Sequence, residues 1–307
     1  MSDAFEEIMF GLEENVRDAL SKQVLPMRPS VLYHYTNSKA AIDILQNKKL
    51  WASDVRMMND SSELEYAKSL ALNTLEFYKE EAGHQSEYKY LKETFEHLPR
   101  HEPEQVFVSC FSSDPNILSQ WRNYSDNGKG ICIGFDTDML IKVLKEQYLH
   151  NVTTLQPVFY EKGPLSNILK VVVGTHLDTF RVREQDLSKY DNYLGLLSSF
   201  LCPHIVMCYP SVKHHAFHEE FEWRISCSPF TGQAKHTGKE YIKFRPSVHG
   251  ITPYIEIDIE KHANDGLIKE IHIGPATNDN VTKYGVEKLL EVEGYKSKIC
   301  LSELPFR

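Results

Sequence analysis

VLYHYTNSKAAIDILQNKKLW, residues 31–51, is the stretch from which the rest of the chain is best read. VLYHYT (31–36) is rich in β-branched and aromatic residues and predicts a strand. Asn37-Ser38 supplies a helix cap, and AAIDILQNKK predicts a short helix leading into Leu50-Trp51. A strand that passes straight into a capped helix brings its last side chains beside a helix N-terminus, where free N–H groups favour anionic ligands. His34 is therefore a candidate binding residue at a sheet edge, with Tyr35 and Thr36 beside it. The plainer reading is a histidine hydrogen-bonded in place.

Working outward, residues 3–22 carry Phe5, Ile8, Met9, Leu12, Val16 and Leu20 at helical spacing, and Pro26 and Pro29 close that helix. A helical pattern runs through Leu64, Ala67, Leu70 and Leu75, and the charged stretch 79–105 predicts a peripheral helix. VFVSCF (106–111) predicts a strand, Asp114-Pro115 the start of a short helix, and GICIGFD (130–136) another strand. Residues 137–218 are mainly helical around one strand in TLQPVFY. FEWRISC, EYIKF, PYIEIDI and IKEIHIG then read as strands near the end. The order predicts an α+β fold in one domain over 1–307, with a helical extension at 1–30 and a mainly helical insertion at 137–218. Strands and helices do not alternate regularly, which argues against a doubly wound parallel sheet. Neither GxGxxG nor GxxxxGK[ST] occurs, so nothing supports a Rossmann or P-loop site.

The 307 residues carry 34 Lys+Arg against 43 Asp+Glu, a net −9, with 41% hydrophobic and 25% charged residues. That balance suits a globular protein and argues against a constitutive nucleic-acid coat or a polybasic membrane anchor. The acidic N-terminus lacks the basic start and apolar run of a signal peptide. Leu194–Tyr209, the most apolar stretch, is broken by Pro203 and His204. A cytoplasmic location without membrane attachment is expected. Six scattered cysteines without a CxxC pair read as free thiols.

Three constellations carry possible chemistry. Ser109 lies on a predicted strand before a short helix bearing Trp121, Arg122 and Tyr124; Trp and Tyr three apart share a helix face. An Arg beside two rings can form a stacking platform for a planar heterocycle, although one ring is easily explained as core. In Glu220-Phe221-Glu222-Trp223-Arg224, a strand would project both carboxylates to one side and Phe221 and Trp223 to the other. A solvated acidic face is the plainer reading, but paired carboxylates also steady oxocarbenium ions and move protons. Cys202, His204, Cys208, His214, His215 and His218 crowd together, but their spacings match no zinc motif, so no metal is expected.

In this order the motifs resemble the ADP-ribosyltransferase superfamily, in its histidine–tyrosine–glutamate branch typified by diphtheria toxin and the poly-ADP-ribose polymerases. The unit LYHYTNSKAAIDILQNKKLW is similar to that branch's first strand and helix. VFVSCFSS, PNILSQWRNY and GKGICIGF resemble its second block, and Glu220-Phe221-Glu222 its catalytic Glu-x-Glu. From about residue 31 to 275 the chain also resembles a bacterial family labelled as a domain of unknown function. Its motifs are HYT, Asn59-Asp60-Ser61-Ser62-Glu63, QWR-x-Tyr and Glu-x-Glu-Trp-Arg.

The resemblance implies a split-sheet core and NAD as substrate, with no metal. It gives His34 to the adenosine-side ribose, Tyr124 or Trp121 to nicotinamide, Glu222 to the nicotinamide ribose and Glu220 to the acceptor. Tyr35 stands where the toxin has a small residue and crowds the ribose pocket. The acceptor is expected to be nucleic acid (RNA favoured, or DNA) or protein, in a toxin or antiphage setting. A neutralising antitoxin partner would have the helix at 3–22 as one docking surface, although packing of that helix onto its own domain is the plainer reading. Water as acceptor would make the protein an NAD glycohydrolase, and loss of turnover would leave a ligand- or partner-binding domain.

Overall fold

A computed structural model describes residues 3–58, 62–100, 106–146, 153–160, 162–228, 241–247, 250–277, 280–302 and 304–305. The loop motif at Asn59–Glu63 lies largely outside the described residues. Strand β1 (Val31–Thr36) ends at Asn37, whose side chain accepts the Ala40 N–H at 2.9 Å and caps helix α2 (Ser38–Asn47). Lys48, in the left-handed conformation, donates its N–H to the Ile44 carbonyl and turns the chain into β2 (Lys49–Asp54). The capped strand–helix unit expected from residue 31 is observed, and the Leu50-Trp51 segment into which it leads is itself a strand, β2.

The remaining helices are α1 (Asp3–Val24), α3 (Ser62–Glu80), α4 (Gln85–His97), α5 (Leu118–Tyr124), α6 (Thr137–Glu146), α7 (Lys162–Leu187), α8 (Tyr193–Val206), α9 (Glu260–His262) and α10 (Asn280–Glu293). The remaining strands are β3 (Phe107–Ser112), β4 (Ile131–Asp136), β5 (Thr154–Pro157), β6 (Glu222–Cys227), β7 (Lys243–Ser247), β8 (Gly250–Asp258), β9 (Ile268–Ile273) and β10 (Lys298–Leu301). This is a mixed α and β architecture; among its strands β9 and β10 pair in parallel and the other described pairs are antiparallel, with one isolated parallel bridge at Phe159↔Val212.

The sheet falls into two halves. One runs β10-β9-β4-β1; the other is built on β3, with β6 and β5 on one edge and β2, β8 and β7 on the other. The halves are parts of one sheet, joined where β1 pairs with β3 at the single register pair Tyr33↔Ser112. Beyond that pair His34 Nδ1 donates to the Cys110 carbonyl at 2.8 Å, a side-chain bond where a ladder bond would otherwise stand. The histidine expected at a sheet edge is thus interior, on a strand flanked by β4 and β3.

Two hydrophobic cores back the sheet. Leu32, Ile133, Phe135, Ile255, Ile257 and Ile271 pack with α2 and α6 through Ile44, Leu45, Leu140 and Val143. A second core joins α1, α3, α4, α7 and α8 and reaches the sheet through Val106 and Val108. These cores bear on three of the expectations. Within 79–100, the described part of the stretch expected to be peripheral, Tyr90, Leu91 and Thr94 of α4 are fully buried. The helix predicted at 3–22 lays its apolar face on α7, so that face is not free for a partner. Within 137–218, α6 packs in the sheet core and β5 pairs with β6. The segment Tyr193–Ser211 is long and apolar enough to cross a membrane, and 67% of it is buried inside the fold.

Candidate active site

Strands β3 and β6 set the site through their register, Cys110↔Arg224 and Ser112↔Glu222. Partners directly opposite share a side and alternate residues return to it. Glu222 and Arg224 therefore lie next to each other on one side, and the guanidinium takes the carboxylate in a fork. Nε donates to Oε1 at 2.8 Å and Nη2 to Oε2 at 3.0 Å, while Nη1 anchors to the Pro210 carbonyl at 2.6 Å. Tyr160 accepts the Glu222 N–H at 3.0 Å. Cys110 links this group to the sheet seam: its carbonyl holds His34, and its thiol bonds to Glu222.

The strand begins one residue later than the sequence predicts. His215–Glu220 forms 3-10 turns, Phe221 takes the left-handed region at φ 44°, and β6 starts at Glu222. A bulky residue in that region is uncommon and marks local strain. Phe221 is 52% exposed and does not pair with Trp223 on the opposite face of a strand, whereas Trp223 is buried. The two carboxylates still converge, because Lys213 bridges them. Its ammonium donates to Glu222 Oε2 at 3.1 Å and to Glu220 Oε2, with the Phe217 ring centroid 4.8 Å away. Lys213 is placed by backbone bonds with Phe159 (Lys213 N to Phe159 O, 3.0 Å), and Glu220 by Ser112 Oγ on its carbonyl at 2.8 Å.

The two carboxyls are driven apart electrostatically. Burial alone would push Glu222 up, but the Arg224 guanidinium and the Lys213 ammonium outweigh it and hold the group down at about 2. For Glu220 burial prevails over the Lys213 contact, and its carboxyl is raised. Paired carboxyls with opposed shifts are the pattern of a fixed anion beside a proton carrier. Lys213 is raised, since the two glutamates overcome the cost of burial. Tyr124 is pushed up to about 12 by burial and by Glu220, which puts its phenol in the field of the same group.

The predicted residues separate accordingly. Glu220, Glu222 and Tyr124 come together, and Tyr124 is 40% exposed. Trp121 has no exposed surface; its Nε1 donates to the Pro115 carbonyl at 3.0 Å and its ring meets Tyr35 edge-on at 5.0 Å. It is core and cannot stack on a ligand. The helix that carries both begins at Leu118 rather than at Pro115, because Asp114 accepts the Asn116 N–H at 2.8 Å and holds the chain in a turn. Tyr35 is a latch, donating to the Asp114 carbonyl at 2.8 Å and accepting from Ile117 N–H at 3.2 Å.

Thr36 is buried at the end of β1, and its carbonyl would lie 2.2 Å from a Cβ at position 130, so Gly130 is required there. Ser109 is buried opposite Ile225, on the side of β3 away from Glu222. Arg122 is exposed on α5. His34 packs against Phe111 with ring centroids 5.5 Å apart, and burial lowers its pKa. The Cys/His cluster does not assemble. Cys202, His204 and Cys208 are buried in the helical layer, and His214, His215 and His218 are exposed before Glu220.

Lys213, Arg224, Tyr160 and Cys110 were not singled out from the sequence. Arg224 carried a usable signal, since Glu-x-Arg on a strand places acid and base side by side. Lys213 and Tyr160 carried none, because the backbone pairing that delivers them is long-range.

With this geometry in hand, one comparison speaks to the site. A family model described as a protein of unknown function (DUF2971) matches residues 120–225. The matched span runs from α5 to β6. It includes Tyr124, Tyr160, Lys213, Glu220, Glu222 and Arg224. Neither the curated proteins nor the solved structures give a match.

Proposed function

We propose that this protein is an NAD-dependent mono-ADP-ribosyltransferase. The observation that carries the reading is the pair of buried glutamates with opposed pKa shifts, beside the half-exposed Tyr124. Tyr124 stacks on nicotinamide. Glu222, a permanent anion, accepts the 2′-hydroxyl of the nicotinamide ribose and stabilises the positive charge at C1′ as the C1′–N bond breaks. Nicotinamide leaves with the bonding pair. The acceptor attacks C1′ and gives its proton to Glu220, whose raised pKa suits that task. The single-pair join of the sheet halves at Tyr33↔Ser112 supports this reading, and His34 at that seam has its Nε2 left for a ribose hydroxyl.

The proposal extends to a cytoplasmic toxin or antiphage effector acting on RNA, DNA or protein, with a neutralising antitoxin as partner. A second reading has an observation of its own. Both Glu222 oxygens are already engaged by Arg224 and Lys213, as expected of a silent binding domain. Incubation with NAD labelled on the adenylate, in lysate treated afterwards with nuclease or protease, separates the cases. Label that nuclease releases means a nucleic-acid acceptor, and label that protease releases means a protein. Nicotinamide release without a labelled macromolecule means water is the acceptor. No release with any acceptor contradicts the transferase.

A further inference from the structure

A second convergence of reactive side chains lies in the other half of the sheet. Glu270 and His272 occupy alternate positions of β9 and so share a side, and Cys300 of β10 is the register partner of His272. Three neighbouring strand positions thereby deliver a carboxylate oxygen, an imidazole nitrogen and a thiol, all within 4.8 Å of one another. Tyr33 of β1 closes one side. Its hydroxyl donates to Glu270 Oε2 at 3.2 Å, and its ring meets the His272 ring edge-on at 5.4 Å. Gly134, between them in the ladder, permits this approach, since a Cβ there would lie 3.1 Å from both the Tyr33 ring and Glu270 Cβ. His272 is buried, and Glu270 and Cys300 are half-buried.

We propose that Glu270, His272 and Cys300 form a Zn²⁺ site, with the fourth position open to water or to the Tyr33 phenol. The donor set selects the ion. A thiolate with an imidazole excludes calcium and magnesium, which take oxygen ligands, and suits zinc. Three protein ligands with one open position is a standard zinc arrangement. Two donors at about 2.1 Å from a tetrahedral ion stand about 3.4 Å apart. Glu270 Oε2 and His272 Nε2, hydrogen-bonded at 2.8 Å, then part by about half an ångström to admit the ion.

Lys298, which hydrogen-bonds to Cys300, would have to give up that bond when the ion binds. The thiol proton passes to solvent on binding. The ion would tie β10, a strand of 4 residues near the chain's end, to β9.

The test uses the full chain, purified without chelators, stripped and titrated with zinc or cobalt salts. One Zn²⁺ per chain is expected. Cobalt should give a thiolate-to-metal charge-transfer band, and zinc should protect Cys300 from alkylation mapped by peptide mass. Cys300→Ser and His272→Ala should each weaken binding by more than about 100-fold, beyond the 10–100-fold loss typical of outer-shell changes. The protection experiment reads the wild-type chain, so it decides even if both variants misfold. Folded protein that takes up no zinc, or zinc that leaves Cys300 as reactive as before, overturns the site.

Discussion

Tyr124 and Trp121 stand three residues apart on one short helix, and their fates differ because of where that helix starts. Trp121→Ala empties a fully buried site and should destabilise the fold by about 3–5 kcal/mol. Tyr124→Ala removes a ring that is 40% exposed and should leave thermal stability nearly unchanged while raising KM for NAD about tenfold or more. Thermal melts and steady-state kinetics on both variants check this. A Tyr124→Ala enzyme with wild-type KM would remove the stacking role. Sequence reading left the two rings as rivals, since Asp114-Pro115 looked like a helix start and is instead a turn. Glu220 and Glu222 were legible as a pair, but on a strand that one of them does not belong to. Their real coupling is Lys213, which no local pattern announces.

At the scale of elements, the helical layer is predicted to be acid-sensitive. Within it Tyr90 of α4, His176 of α7 and His204 of α8 form a buried chain, with bonds of 3.0 and 2.9 Å. Burial lowers both histidines, His204 to about 4. In the unfolded chain each titrates near 6.5. As pH falls from about 6.5 toward 4, the unfolded state binds protons that the folded state refuses.

The histidine contribution is therefore complete above about 6.5 and is lost through that window. For His204 this amounts to roughly 3 kcal/mol. Urea midpoints measured from pH 7.5 down to 4.5 should fall, and His204→Gln should flatten the curve. A flat curve in the wild type would contradict a neutral buried pair. Glu222, whose folded pKa is depressed, acts lower, withdrawing its share only as pH drops below about 4.5 toward 2. The helices themselves were readable from periodicity. Their packing into one layer was not, because the charged surface of 79–105 hid Tyr90 and Leu91, which only tertiary neighbours bury.

At the scale of the molecule, two cores share one sheet. Trp51, Trp121 and Trp223 all lie on the sheet or on α5, while α1, α3, α4, α7 and α8 make up the helical layer. Val106 and Val108 tie that layer to β3. Tryptophan fluorescence should therefore follow the sheet, and far-UV circular dichroism chiefly the helices. Coincident urea transitions are expected of a single domain; separated ones would divide the chain in two.

The mixed α and β character and the strands β6, β8 and β9 followed from the pattern of the sequence, whereas α10 and β10 were not in it and the strand expected at EYIKF runs instead over Lys243–Ser247. The seam at Tyr33↔Ser112 did not follow from it either, because nothing in β1 or β3 alone says where two strands stop pairing. That seam and the carboxylate pair beside β3 are what the functional proposal rests on. Nicotinamide release from NAD by the wild type and by Glu222→Gln, with folding checked by circular dichroism, tests it most directly. The account predicts turnover by the wild type and a loss of about 100-fold or more in the folded variant. Undiminished release by Glu222→Gln, or none by the wild type with nucleic-acid and protein acceptors supplied, would contradict it.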